Sequence, residues 1–201
     1  MTTTKAGKTR SGRRLLTRLG EQIGFASVGT SLLLAAVLAI LAPAAAEALT
    51  ANRVDAKRDW SIFEAEADGN KVCWIVSQPK QSSAFREGKP VEVRRGDIFL
   101  MVAVRPADGV VNEVSFIAGY PFQQGTTVET KIGSNEFTMF TDGENAWLSS
   151  PDEDNQIVGA FRRGRDAEVR GTSSRGTTTV DTFSLLGFTA ALQAAKDLCG
   201  Q

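Results

Sequence analysis

The side chains that most often carry catalysis are scarce in this chain. Among its 201 residues there is no histidine, and the two cysteines are Cys73 and Cys199. The lack of histidine excludes Ser-His-Asp and Cys-His catalysis, histidine metal sites and histidine-based pH sensing. A disulfide between the cysteines would also remove the thiolate nucleophile. Asp and Glu remain available, but no two acids stand out as a pair, so a carboxylate-dependent hydrolase is the less favoured alternative. We expect no enzymatic activity and no cofactor or metal.

Arginines are concentrated in one stretch near the C-terminus. They are Arg162, Arg163, Arg165, Arg170 and Arg175. Guanidinium groups bind phosphate and carboxylate well, so this stretch could contact an anionic partner such as lipid A or another phosphate-bearing envelope component. The favoured alternative is a solvated hairpin in which Asp166 and Glu168 partly neutralise the arginines.

Two short motifs resemble functional sites, but local structure explains both. Arg95-Gly96-Asp97 spells the tripeptide that integrins read, but Gly96-Asp97 is also a turn that leads into a strand at Ile98. The acids at 152–154 could suggest calcium, yet they lack the alternating oxygen ligands of a calcium loop. Ser150-Pro151-Asp152-Glu153 instead predicts a capping box at the start of a helix. We expect that helix to run to about Arg163, to bury Ile157, Val158 and Phe161, and to end at Gly164.

The last stretch of the chain organises the predicted fold. Residues 180–185 read as a strand, and Gly187 separates them from a helix on which Phe188, Leu192, Ala195 and Cys199 share one face. Burial of that face carries the Cys199 sulfur inward. The other cysteine, Cys73, lies in the strand-like run 71–77. In an oxidising compartment two cysteines favour a bridge, so we predict the disulfide Cys73–Cys199. An intermolecular bridge through Cys199 is the alternative.

The preceding residues predict about nine short strands, which favours a β-sandwich. Hairpin turns are indicated at 68–70 and at 133–135. Residues 78–90 read as a polar loop, and residues 91–93 as a return to β structure. The run 98–104 is apolar at every position and predicts a central strand covered on both faces.

The first 46 residues predict an export signal. A basic start is followed by an uncharged span from Ile23 to Ala46, and Ala44-Ala45-Ala46 suits cleavage before Glu47. An uncleaved anchor is the alternative because the span is long enough to cross a bilayer. Arg13-Arg14 leaves the twin-arginine route open beside the general one. Residues 47–58 are expected to form a flexible lead-in, and residues 59–201 one domain.

Removal of the export segment changes the charge of the protein. It contains 6 of the 23 basic and 1 of the 23 acidic residues, which leaves 17 basic against 22 acidic residues, a formal charge of −5. A mildly acidic domain is not expected to bind nucleic acid. Contact with a membrane is expected only through residues 1–46, if they stay uncleaved.

A set of short motifs distributed over 60–199 resembles the invasion-associated locus B family. The most specific is 181–192, Asp-Thr-Phe-Ser-Leu-Leu-Gly-Phe-Thr-Ala-Ala-Leu. The others are Cys73-Trp74-Ile75, Arg94-Arg95-Gly96-Asp97-Ile98, Val114-Ser115-Phe116, Gly119-Tyr120-Pro121-Phe122, Phe140-Thr141-Asp142-Gly143 and Arg175-Gly176-Thr177-Thr178-Thr179.

The resemblance implies an exported envelope protein, periplasmic or secreted, with an immunoglobulin-like β-sandwich and two short helices, the last one C-terminal. It implies no catalytic residues. Together with the missing histidine and the paired cysteines, it favours a binding module with a partner in the envelope or on a host surface. The alternative is a structural component of the envelope, anchored by the N-terminal apolar segment.

Overall fold

Twelve strands and two helices follow one another in residues 50–201, the part of the chain that the computed structural model describes. The strands are β1 (Asn52–Lys57), β2 (Trp60–Ala67), β3 (Asn70–Ser77), β4 (Gln81–Arg86), β5 (Lys89–Pro90), β6 (Phe99–Arg105), β7 (Val110–Ile117), β8 (Thr127–Ile132), β9 (Asn135–Asp142), β10 (Asn145–Trp147), β11 (Asp166–Thr172) and β12 (Thr178–Ser184). The helices are α1 (Pro151–Arg163) and α2 (Phe188–Leu198). Neither has the length and apolarity needed to cross a bilayer. The predicted export signal, residues 1–46, lies outside the described residues.

All strand pairs are antiparallel, and they join into one sheet of order β1-β2-β3-β6-β7-β10-β9-β8-β11-β12-β4-β5. The sheet folds over itself, because residues far apart in that order touch. The Trp60 indole of β2 donates to the Ser184 carbonyl of β12 at 3.0 Å, and the rings of Phe116 and Phe183 lie 6.1 Å apart. This confirms the predicted fold class, an all-β, sandwich-like body with two short helices, the last one C-terminal.

Three stretches differ from expectation. Residues 52–57 form β1 instead of a flexible lead-in, and β4 and β5 lie within the predicted loop 78–90. β1 and β5 are edge strands, where polar side chains are tolerated because one side faces water, and β4 pairs with β12. Residues 91–93, expected to return to β structure, are not a strand.

The hairpin turns are where the sequence predicted them. Asp68 and Gly69 join β2 to β3 with φ of 51° and 74°, and Gly133 lies in the turn between β8 and β9 with φ of 59°. All of the run 98–104 except Ile98 lies in β6, which is between β3 and β7 in the sheet. Its inward residues are completely buried, but the outward Met101 and Ala103 are partly exposed. The prediction of full cover on both faces is therefore wrong.

Both helices cover the inward face of the sheet as predicted. The Ser150 hydroxyl accepts from the Glu153 amide at 3.3 Å, and α1 buries Ile157, Val158 and Phe161. α2 buries Phe188, Leu192 and Ala195. The ring of Phe188 contacts Phe161 of α1 at 5.2 Å between centroids, which joins the two helices in one core.

The predicted disulfide Cys73–Cys199 is present, with an S–S distance of 2.01 Å. It ties the end of α2 to β3, so the helix that closes the core is covalently held to the sheet. Both cysteines of the chain are used in this bridge.

Candidate functional site

The integrin-like tripeptide is not available as a linear epitope, because its arginine is buried. The Arg95 side chain is 7% exposed and forms a two-point ion pair with Asp181, which is completely buried. The Nη1–Oδ1 and Nη2–Oδ2 distances are 2.7 and 2.8 Å. Asp97, by contrast, is exposed just after the bend at Gly96. The predicted turn is thus held by an internal salt bridge.

Further hydrogen bonds fix this ion pair in a small polar network. Arg95 Nε and Nη2 also donate to the Ala118 carbonyl at 2.9 and 2.7 Å. The Ser82 hydroxyl donates to Asp181 Oδ1 at 2.6 Å. Because each nitrogen of the guanidinium and each oxygen of the carboxylate has a hydrogen-bond partner, this buried pair meets the condition under which such pairs are tolerated. The network connects residues 91–98, which form no strand, to β4 and β12.

Tyr120 extends the network towards the surface. The Arg95 guanidinium lies over its ring, 4.9 Å from the centroid, and its hydroxyl lies 2.6 Å from Thr179 Oγ1. Burial raises the pKa of the Tyr120 phenol. Gly119 has a φ of 69° and contacts Gly96 so closely that a Cβ there would lie 2.6 Å from the Gly96 carbonyl oxygen. The glycines therefore let two loops pack backbone to backbone.

A surface groove of about 490 Å³, which we call the arginine groove, lies over this network. Its buried wall includes the hydroxyl-bearing Thr177 and Thr179. Its exposed charges are Arg86, Arg94, Arg175, Glu92 and Glu144. The Arg86 guanidinium is fixed by a 2.8 Å hydrogen bond to Thr177 Oγ1.

Arg94 and Arg175 are the side chains of this groove that can bind a ligand. Within residues 50–201 neither forms a salt bridge. Two free guanidinium groups above a fixed polar wall can each give paired hydrogen bonds to a phosphate or carboxylate.

The structure does not bring the five predicted arginines together. Arg162 and Arg163 end α1, the 96% exposed Arg165 follows them, Arg170 lies in β11, and Arg175 lies in the turn before β12. The ends of the seven-residue β11 are about 20 Å apart at about 3.3 Å per residue. Arg175 alone among the five lines the arginine groove.

Sequence reasoning missed Arg86, Arg94 and Arg95 as partners of Arg175. The adjacent Arg94-Arg95 pair before a glycine was the available signal, but nothing local places it beside residue 175. Of the acids at 152–154, Glu153 bonds at the helix start as the capping box predicts, whereas Asp154 bonds to β7. Glu153 Oε2 accepts from the Ser149 amide at 2.9 Å, and Asp154 Oδ1 accepts from the Val114 amide of β7 at 2.9 Å.

Comparison with known proteins found one family model and one solved structure that are similar to this chain. The family model described as "Invasion associated locus B (IalB) protein" matches residues 60–196. Among solved structures, the crystal structure of invasion associated protein B from Bartonella henselae is similar, with a TM-score of 0.48 and 16% identity over 72% of this chain and 95% of that chain. No curated protein matches the sequence.

Proposed function

The chain belongs to the invasion associated locus B family, and from this premise we propose that it is an exported, non-enzymatic binding module of the cell envelope. Its ligand carries phosphate or carboxylate groups and binds in the arginine groove. The observation that carries the proposal is the pair Arg94 and Arg175, two exposed guanidinium groups without a carboxylate partner in residues 50–201, above a hydrogen-bonded wall.

The available side chains support a non-enzymatic role. Histidine is absent from the sequence, and both cysteines are bridged. A carboxylate-dependent hydrolase would need a free pair of acids. Glu113 and Asp154 are near each other, but both oxygens of Glu113 accept from Arg105, at 2.7 and 2.8 Å, and Asp154 accepts from the Val114 amide. Glu113 is therefore held by Arg105, and Asp154 alone does not make the pair that such a mechanism requires.

Charge restricts the kind of anion that the groove can select. Residues 47–201 have a formal charge of −5, so long polyanions are repelled at a distance. Within the groove, the Arg95 charge is balanced by Asp181, and the lining also contains three exposed arginines and two exposed glutamates. A compact phosphorylated headgroup that reaches both Arg94 and Arg175 fits this local surplus. A phosphate-bearing envelope lipid such as lipid A has that chemistry.

Titration of the purified protein with two probes tests the groove. One probe is phosphatidylcholine vesicles that contain lipid A, measured against the same vesicles without it, and the other is inorganic pyrophosphate, so the two arms separate a membrane headgroup from a free phosphate. Charge-assisted hydrogen bonds contribute about 1.5–3 kcal/mol each, so Arg94→Gln and Arg175→Gln should each weaken binding by about tenfold or more. Arg165→Gln, at a 96% exposed side chain outside the groove, is the matched control. An equal loss in the control would mean unspecific attraction and would contradict the proposal.

Export has its own test. The apolar span and Ala44-Ala45-Ala46 support cleavage before Glu47, which N-terminal sequencing and intact mass of the periplasmic protein would show directly. An intact Met1 together with retention in the membrane fraction would favour the anchored structural component instead.

A further inference from the structure

A second groove, of about 610 Å³, is lined by β7, by the connection from β10 to α1 and by the start of α1. We call it the aromatic groove. It exists because β10 has three residues and pairs with β7 only as far as Ser115. The next amide of β7, that of Val114, donates to the Asp154 side chain of α1. Asp154 therefore takes the position of a strand partner, which prevents an extended peptide from continuing the sheet there.

Two aromatic rings, one exposed and one half-buried, lie side by side in this groove. Phe140 of β9 and Trp147 of β10 are register partners, and their ring centroids lie 5.8 Å apart. Phe140 is 47% exposed, and Val111, at 36%, lines the same groove. Of the five large apolar side chains exposed in residues 50–201, two thus face this one cavity. Exposed apolar surface gathered in a cavity is typical of a ligand site.

The ionisable side chains that line the aromatic groove are all acidic: Asp108, Glu113 and Asp154. Arg105, behind the groove, pairs with Asp108 at 3.0 Å and with Glu113 at 2.7 Å. Asp154 forms no salt bridge within residues 50–201. Burial, together with the nearby carboxylates of Glu113 and Glu153, raises the pKa of Asp154 to about 6. At neutral pH the groove therefore holds a half-buried carboxylate that has no cation to balance it.

We propose that the aromatic groove binds an organic cation with an apolar surface, such as a quaternary or alkylated ammonium group. The cation lies over the faces of Phe140 and Trp147, where the ring quadrupoles attract it, and Asp154 supplies the balancing charge. An anion is repelled by the net negative charge of the three acids and Arg105, and a purely apolar ligand would leave Asp154 unpaired. This site is separate from the arginine groove and does not depend on the function proposed for it.

Choline and its neutral isostere 3,3-dimethyl-1-butanol are the matched probes. Both are titrated into the full protein, with Trp147 fluorescence as the readout and the signal assigned by Trp147→Phe. Asp154→Asn keeps an acceptor for the Val114 amide and removes the charge. Phe140→Leu keeps the apolar volume and removes the ring. We expect choline to bind at least about tenfold more tightly than the isostere, and each variant to lose about tenfold in choline affinity.

The pH dependence adds a readout that a structural role of Asp154 would not produce. A cation prefers the ionised carboxylate, so choline affinity should fall as the pH drops below about 6 in the parent protein and stay constant in Asp154→Asn. A second arm replaces free choline with phosphatidylcholine vesicles, to separate a solute from a lipid headgroup. Equal binding of the neutral isostere, or full choline affinity in folded Asp154→Asn, would overturn the proposal. So would the absence of choline binding in both arms.

Discussion

The buried pair Arg95–Asp181 should be the most sensitive polar contact in the protein. In Arg95→Met, the completely buried Asp181 carboxylate loses its cation and keeps one donor, the Ser82 hydroxyl at 2.6 Å. The Ala118 carbonyl also loses two donors. An unpaired buried charge costs about 3–5 kcal/mol, a large part of a typical stability of about 5–15 kcal/mol. We expect the same loss from Asp181→Leu, which leaves the buried Arg95 guanidinium without its carboxylate partner.

The double variant Arg95→Met/Asp181→Leu separates a charge effect from a packing effect. It removes both charges, so it should be clearly more stable than the sum of the two single losses predicts. Urea unfolding near neutral pH, followed by tryptophan fluorescence, gives the four stabilities. Arg165→Met, at a 96% exposed side chain, should change stability by less than about 0.5 kcal/mol. Single losses below about 1 kcal/mol, or strict additivity in the double variant, would refute the reasoning.

Three further predictions concern the disulfide, the tripeptide and the groove carboxylate. Replacement of Cys73 and Cys199 by Ala removes a cross-link between residues 126 positions apart, which is worth about 5 kcal/mol in the chain-entropy model. We expect the free energy of unfolding in urea to fall by about 2–4 kcal/mol. Free thiols in the native parent, or a reducible dimer, would contradict the intramolecular bridge. Because Arg95 is buried, Asp97→Glu should leave any host-cell adhesion unchanged. The melting temperature should fall slightly, because the tripeptide forms a turn. A loss of adhesion at an unchanged melting temperature would contradict this prediction. Folding raises the pKa of Asp154 to about 6, so the folded protein favours the protonated carboxyl group more than the unfolded chain does. Protonation of Asp154 therefore stabilises the fold at low pH, and this contribution is lost as the pH rises through about 6. The stability of Asp154→Asn relative to the parent should therefore increase from about pH 5 to about pH 7.5, and a constant difference would refute the assignment.

Elements with strong local signals could be predicted from the sequence. The capping box at Ser150 and the apolar positions up to Phe161 place α1 without reference to the rest of the chain. The 3.6-residue period places Phe188 and Cys199 on the buried side of α2. Hairpin turns such as Asp68-Gly69 need a positive φ, which a few residue types adopt readily. These signals are local because helix capping and turn geometry involve residues within about four positions of one another.

Contacts between distant residues were decided by the tertiary structure alone. β4 is a strand because β12 offers it a backbone partner, although its own residues are polar. Arg95 lies 86 residues from Asp181, and the same packing places Arg94 and Arg175 in the lining of one groove. Strand pairing and ion pairing depend on which elements become neighbours, and the free energy that brings them together comes from the shared apolar core. The partner of a charged residue is therefore determined only when that core forms. For this reason neither groove could be predicted from the sequence, whereas the helices, the hairpins and the disulfide could.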